Sequence, residues 1–83
     1  MLSEASRTTA EQARILYATV LQQQLERDSL GDNVSIEPVS GRYFVAETFD
    51  AAVNAALDAF PDRLTPTMRI GHEAALHLGV LVQ

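Results

Sequence analysis

The fold is decided by a stretch near the middle of the chain, Val34-Ser35-Ile36-Glu37-Pro38-Val39-Ser40-Gly41-Arg42-Tyr43-Phe44-Val45-Ala46. Its first four residues alternate apolar and polar side chains, as a half-buried strand does, and Tyr43, Phe44 and Val45 are aromatic or β-branched. Residues 38–41 supply the proline, serine and glycine of a turn. The stretch therefore predicts a β-hairpin, with Pro38 at a strand end because proline donates no ladder hydrogen bond.

A long amphipathic helix is predicted before the hairpin. Thr8 and Glu11 have the spacing of a capping box, so we expect the helix to begin at Thr8 or Thr9. We expect it to end near Asp28, with Gly31 in the left-handed conformation that closes a helix. At 100° per residue, one side forms the expected core face, with Leu16 at its edge; the face consists of Ala10, Ala13, Tyr17, Val20, Leu21 and Gln24.

A second, weaker stripe lies on a different face of the same helix and consists of Ile15, Ala18, Gln22 and Leu25. A helix of about 20 residues is about 30 Å long. The rest of so short a chain is not expected to cover both stripes. We therefore expect this second stripe, together with the edge of the hairpin, to bind a protein partner or a second copy of the chain, with a homodimer favoured.

A second helix and a third strand are predicted after the hairpin. Thr48 and Asp50 are both possible N-caps, and Pro61 should end the helix at Phe60. Residues 67–70 have the pattern of a strand. The expected core face of the second helix is Phe49, Val53, Ala56, Leu57 and Phe60, and its expected solvated face is Asp50, Asn54 and Asp58.

The last segment, residues 72–83, has two interpretations. The pattern favours one or two helical turns closed by Gly79 and then a short strand, but it leaves open whether the segment is helix or strand. With 83 residues there is room for one domain, of which we expect residues 1–7 to be frayed. The predicted fold class is α+β: an N-terminal helix, a β-hairpin, a helix, a β-strand and a short C-terminal element, with a small, mainly antiparallel sheet packed on the helices.

The composition excludes several classes of function. The absence of cysteine excludes disulfides and thiolate chemistry, and the absence of lysine excludes a Schiff base and a P-loop. The net charge of −5 disfavours nucleic-acid binding. The chain shows no signal-peptide pattern and no apolar run long enough for a membrane span, so we expect a cytoplasmic protein. Basic residues that are all arginine, with abundant alanine, are typical of a GC-rich bacterium.

No catalytic, cofactor or metal site is predicted. His72 and His77 are five residues apart and so about 140° apart around a helix, whereas a zinc helix needs a spacing of four. The acidic residues are spread over helix surfaces and turns, which explains them as caps and solvated groups. Ser40-Gly41 lacks the flanking glycines of a nucleophile elbow. We therefore expect a protein that is not an enzyme.

Three arginines support an alternative hypothesis. Arg42 lies at the predicted hairpin turn, Arg63 follows the second helix, and Arg69 lies in the third strand. Their guanidinium groups could converge on one anion, which would make the chain a small regulatory domain with an anionic ligand. Each arginine also has acidic neighbours in the sequence, so surface ion pairs are the other interpretation.

Part of the chain matches a known pattern through Val34, Ile36, Glu37, Pro38, Ser40, Gly41, Tyr43, Phe44, Ala52, Ala56, Pro61, Asp62, Arg63, Arg69, Ile70, Gly71 and His72. On these residues it resembles a group of short bacterial proteins of unknown function, which implies a helix, hairpin, helix and strand but no activity. Residues 44–52, in which a strand ends in a threonine that opens an Ala-rich helix, are similar to HicB-like antitoxins. That similarity implies a protein that neutralises a partner by covering it, without a DNA-binding segment of its own.

Overall fold

The computed structural model describes residues 4–71. The predictions for the histidine pair and for the C-terminal element fall on residues 72–83 and lie outside the described residues. Within the described range, the elements in chain order are α1 (Glu4–Leu16), a π-helical segment (Tyr17–Leu21), α2 (Gln22–Asp28), β1 (Asn33–Glu37), β2 (Arg42–Ala46), α3 (Phe49–Ala59) and β3 (Thr67–Arg69). The predicted α+β class and the predicted order of elements are confirmed as far as β3.

The first helix begins one turn earlier than the capping box indicates. It begins at Glu4, so the predicted start at Thr8 or Thr9 is wrong and residues 4–7 are helical. Glu4 places a negative charge in the first turn, where the helix dipole favours it. Its carboxylate also lies 3.6 Å from the guanidinium of Arg7, one turn further on. These local charges favour helical backbone at residues 4–7, before the predicted cap.

A π-helical segment changes which residues of the long helix face the core. The amide of Gln22 donates to the carbonyl of Tyr17, five residues back, so the turn between them is wider than an α-helical turn. In a regular α-helix, side chains four residues apart drift by about 40° per step. The wider turn offsets this drift, and a row spaced by four is therefore buried throughout: Ala13, Tyr17, Leu21 and Leu25.

Two predictions about this helix are wrong for that reason. Val20 and Gln24 belong to the predicted core face, but Gln24 is exposed and 63% of Val20 is exposed. Leu25 belongs to the predicted partner stripe, but only 4% of it is exposed and it packs in the main core. Val20, Gln24 and Leu25 all lie within or after the π-helical segment, where a constant rotation of 100° per residue no longer describes the helix.

The sheet has three strands in the described region, in the order β2-β1-β3, with both pairings antiparallel. Val34 in the central strand pairs with Val45 on one side and with Met68 on the other. The predicted hairpin and the predicted antiparallel sheet are therefore confirmed. β2 is an outer strand, so its second edge has no strand partner among residues 4–71.

The central strand β1 is buried on both faces, whereas its alternating sequence predicts one buried face. Val34 and Ile36 pack in the core with the first helix. Ser35 and Glu37 point to the opposite face, where α3 packs on the sheet, and they are 0% and 1% exposed. The fold therefore has a helix on each side of the sheet, and β1 places two polar side chains in its interior.

α3 packs on the sheet through small residues. The Thr48 hydroxyl accepts a hydrogen bond of 3.1 Å from the amide of Ala51, so Thr48 is the N-cap. Ala52 and Ala56 are fully buried, and their small side chains allow the helix to approach the backbone of β1 closely. The predicted core face is wrong for Phe49 and Leu57, which are 54% and 44% exposed.

The end of the described chain is joined to the first helix by one tyrosine. The Tyr17 hydroxyl accepts a hydrogen bond of 3.2 Å from the amide of Gly71 and donates one of 3.1 Å to Oε2 of Glu26. Burial raises the pKa of the Tyr17 hydroxyl, more than the Gly71 amide lowers it. Gly71 has a φ of +83°, and a Cβ at this position would meet the side chain of Leu30.

We predict that Gly71→Ala destabilises the protein by about 1–2 kcal/mol, because it adds a left-handed alanine and forces the exposed side chain of Leu30 to move. Gly41→Ala is the matched control, since its φ is +82° and its Cβ would meet nothing within 4 Å. The free energy of unfolding of the control should fall by only about 1 kcal/mol, which is the cost of the left-handed backbone alone. Urea unfolding followed by circular dichroism measures both variants. Equal losses would show that the contact with Leu30 contributes nothing.

Candidate functional site

Two features of the described surface are candidates for function. The first, which we call the arginine–phenylalanine cluster, consists of Arg42, Phe44, Phe60 and Arg63. The second, which we call the α3 stripe, consists of Phe49, Val53 and Leu57. Strand register builds the first feature, and close packing of alanines against the sheet exposes the second.

The arginine–phenylalanine cluster forms where β2 begins and α3 ends. Arg42 and Phe44 are two residues apart, so they lie on the same face of β2. Phe60 directly follows α3 and packs edge-on against Phe44, with ring centroids 6.2 Å apart and an angle of 70° between the rings. The guanidinium carbon of Arg42 lies 5.3 Å from the centroid of Phe44 and 5.4 Å from that of Phe60. Both distances are within cation–π range.

Arg63 joins the cluster from the turn after α3. Its guanidinium carbon lies 6.0 Å from the centroid of Phe60, and its Nη1 donates to Oε2 of Glu37 at 3.1 Å. The Glu37 carboxylate also accepts hydrogen bonds from the amides of Ser40 at 2.8 Å and Val39 at 3.3 Å. The hairpin turn therefore holds this carboxylate, and Arg63 adds an ion pair to it.

Glu37 is ionised in the folded protein despite its burial. Burial alone acts to raise the pKa of this carboxyl group. The hydrogen bonds from Ser40 and Val39 and the one from Arg63 together outweigh burial, and the pKa lies below its ordinary value. A buried carboxylate with this many partners stabilises the hairpin turn, so Glu37 has a structural role.

The three arginines of the anion hypothesis do not meet at one place. Arg42 and Arg63 lie around the Phe60 ring. Arg69 pairs with Asn33 at the opposite end of β1 from Glu37, and its Nε donates to the carbonyl of Gly31 at 3.3 Å. The grouping is therefore wrong for Arg69, because β3 pairs with the first half of β1 and carries Arg69 away from the hairpin turn.

Arg42 differs from Arg63, the other arginine of the cluster, in lacking an acidic partner among residues 4–71. Glu37 stands opposite Arg42 in the strand register, yet its carboxylate bonds to Arg63. Across residues 4–71, Arg42 makes no ion pair, and its guanidinium contacts the rings of Phe44 and Phe60. The interpretation that surface ion pairs account for this arginine is therefore wrong within the described structure.

The predicted partner stripe on the first helix is divided between surface and interior. Ile15 is 49% exposed, Ala18 is exposed, Gln22 is half-buried and Leu25 is in the core. The outer side of the π-helical segment instead carries an open depression of about 400 Å³, lined by Ala18, Thr19, Val20, Gln22 and Gln23. The stripe is not one continuous surface, because Leu25 is buried in the core whereas Ile15 and Ala18 are exposed.

The α3 stripe is the feature that the sequence pattern misassigns to the core. Its residues are spaced by four and so lie on one side of the helix, beside the buried Ala52 and Ala56. Val53 is half-buried, between the more exposed Phe49 and Leu57. The available signal is the pair of alanines at a spacing of four, which is typical of a helix in close contact with a sheet.

Comparison of the chain with protein-family models, with curated proteins and with solved structures found no match. The resemblances to short bacterial proteins and to HicB-like antitoxins therefore stay predictions. Among residues 4–71, no three histidine, cysteine or acidic side chains are grouped as a metal ion requires. No helix in that range combines the length and the apolar character that crossing a bilayer requires.

We predict that Glu37 makes stability depend on pH. Its pKa is lowered in the folded state, so its contribution is present above the ordinary value of 4.5 and is lost as the pH falls through the folded-state pKa. Unfolding in urea at several pH values should give a steeper acid loss for the wild type than for Glu37→Gln. The variant should be less stable near neutral pH by about 1–3 kcal/mol, since amides and Arg63 lose a charged acceptor.

The control for this experiment is Asp58→Asn, at an exposed position on α3. It removes one carboxylate without disturbing a buried network, so its pH dependence should follow the wild type. Parallel curves for the wild type and Glu37→Gln would contradict the role given to Glu37.

Proposed function

We propose that this chain is a non-enzymatic protein-interaction domain that associates with a second copy of itself through the α3 stripe. The observation that carries the proposal is the exposure of Phe49 and Leu57, at 54% and 44%, on a helix whose buried side consists of alanines. Burial of a Phe or Leu side chain contributes about 1.5–3 kcal/mol relative to full exposure. Covering these partly exposed side chains would recover a fraction of that free energy.

The spacing of the stripe suits a second copy. In an antiparallel pair of α3 helices, Val53 of one copy would face Val53 of the other, and Phe49 would face Leu57. A two-fold interface of this kind uses the same patch on both chains and closes after two copies. The small size of the chain supports the same conclusion, because a short domain leaves a larger share of its apolar surface uncovered.

The non-enzymatic part of the proposal rests on how the buried ionisable groups are used. Glu37 bonds to the hairpin turn and to Arg63, and the Tyr17 hydroxyl bonds to Gly71 and Glu26. Both groups are committed to holding the fold. The chain also contains no cysteine and no lysine, the two residue types whose activated forms serve most directly as nucleophiles.

The similarity to HicB-like antitoxins extends the proposal to a partner-neutralising protein of a bacterial cytoplasm. An antitoxin-like protein acts by covering its partner, and exposed apolar side chains on a helix are suited to that task. In this setting the α3 stripe would be the surface that the second copy occupies when the partner is absent.

We predict that Leu57→Asp abolishes self-association. The wild type, with a chain mass of 9.1 kDa, should approach twice that mass in light scattering as its concentration rises. Leu57→Asp should stay at the mass of one chain, because a charge would be buried without a partner. Val39→Asp is the control, since Val39 is 75% exposed in the hairpin turn and does not belong to the α3 stripe.

Circular dichroism should show that both variants keep the wild-type helix content. A wild type that stays a single chain at every concentration would contradict the proposal, as would a Leu57→Asp variant that still pairs. Dissociation caused equally by Val39→Asp would place the interface elsewhere.

A further inference from the structure

We propose that Arg42 and Arg63, which share the Phe60 ring, form a binding site for a small monocarboxylate with an apolar body. This inference goes beyond self-association, because it concerns a ligand held at the end of the sheet and requires no second copy. It rests on the donors that the arginine–phenylalanine cluster leaves unused, on its net charge and on the rings that hold its guanidinium groups.

The described structure leaves most of the guanidinium donors of the cluster unused. The guanidinium of Arg42 makes no hydrogen bond or ion pair within residues 4–71, so no described residue occupies its five N–H groups. Arg63 uses Nη1 on Glu37, and its Nε and Nη2 make no contact of this kind in the described structure. Arg42 is exposed and the Arg63 side chain is 49% exposed, so a ligand in solution can reach both.

The two guanidinium groups share one ring. Their carbons lie 5.4 Å and 6.0 Å from the centroid of Phe60, which places them at most about 11.4 Å from each other. The planar fork of one arginine can bind both oxygens of a carboxylate, and the second arginine adds its field. Two rings already contact Arg42, so part of the conformational freedom of its side chain is lost before a ligand binds.

The arginine–phenylalanine cluster carries a net positive charge. Two guanidinium groups face one carboxylate, that of Glu37, which is 1% exposed and held by Ser40, Val39 and Arg63. Asp62, next to Arg63 in the sequence, forms no ion pair within the described residues. The cluster therefore keeps one positive charge on a chain whose net charge is −5.

A single positive charge beside aromatic rings selects the class of ligand. A monocarboxylate neutralises the cluster, whereas a dianionic phosphate would leave excess negative charge on an already acidic protein. The half-buried ring of Phe60 offers an apolar surface beside the two guanidinium groups. An aromatic or aliphatic body attached to the carboxylate would contact that ring and lose its contact with water.

The test is a nuclear magnetic resonance titration of the uniformly ¹⁵N-labelled full chain with benzoate. Benzamide is the matched neutral control, because it has nearly the same shape without the charge. We expect saturable shifts with benzoate at the amides of Arg42, Phe60 and Arg63, and no saturable shift with benzamide. Inorganic phosphate is the third arm, and we expect it to bind more weakly than benzoate at the same amides.

Variants of the full chain connect the site to its residues. Arg42→Gln should weaken benzoate binding by about tenfold or more, the usual effect of losing a charge-assisted hydrogen bond. Arg42→Lys, which keeps the charge but loses the fork, should give an intermediate affinity. Arg69→Gln should leave the affinity unchanged, since Arg69 lies at the other end of the sheet.

Three results would overturn the proposal: equal shifts with benzoate and benzamide, tighter binding of phosphate than of benzoate, or an unchanged affinity in Arg42→Gln. Arg42 is exposed, so its variants should keep the remaining amide shifts of the wild type. A loss of self-association in Leu57→Asp with normal benzoate binding would separate this inference from the proposed function.

Discussion

The burial of the central strand on both faces is the constraint on which the rest of this structure depends. Apolar contacts with the first helix cover one face of β1, but the other face carries Ser35 and Glu37. Buried polar groups require partners. The Ser35 hydroxyl lies 2.7 Å from that of Thr67 and donates to the carbonyl of Thr65 at 3.1 Å, while Glu37 bonds to the hairpin turn and to Arg63. This satisfied polar face is the surface on which α3 packs.

The same constraint explains the position of the candidate surfaces. Because Glu37 takes Arg63 as its ion-pair partner, Arg42 opposite it is left with aromatic neighbours and no counter-charge within the described residues. Because the alanines of α3 approach β1 closely, Phe49 and Leu57 are displaced to the outside. The exposure of Arg42 and that of the apolar residues of α3 therefore have one origin. Both follow from the way in which Arg63 and α3 cover the polar face of β1.

Local sequence signals were sufficient to predict most of the helices and strands. They were insufficient to predict which side chains of those elements face the core. The hairpin and the end of α3 before Pro61 depend on neighbouring residues, and both could be predicted from the sequence. The sequence limited the N-cap of α3 to Thr48 or Asp50, and the structure has Thr48. The burial of Leu25 depends on a π-helical segment, which a constant helical period does not contain. The meeting of Arg42 and Arg63 required the packing of Phe60 on Phe44, and the separation of Arg69 required the register of β3, both of which are tertiary facts.

The hydrogen bond between Tyr17 and Gly71 also has a consequence for synthesis on the ribosome. It joins residues that are 54 positions apart, and Met68 and Ile70 fill the same core from the same end of the described chain. Contacts so distant in sequence form late in folding, because a long loop must close first. During translation, β1 can cover only part of the apolar side of the first helix, and the rest stays exposed until β3 emerges. The nascent chain is therefore most prone to aggregation in that interval.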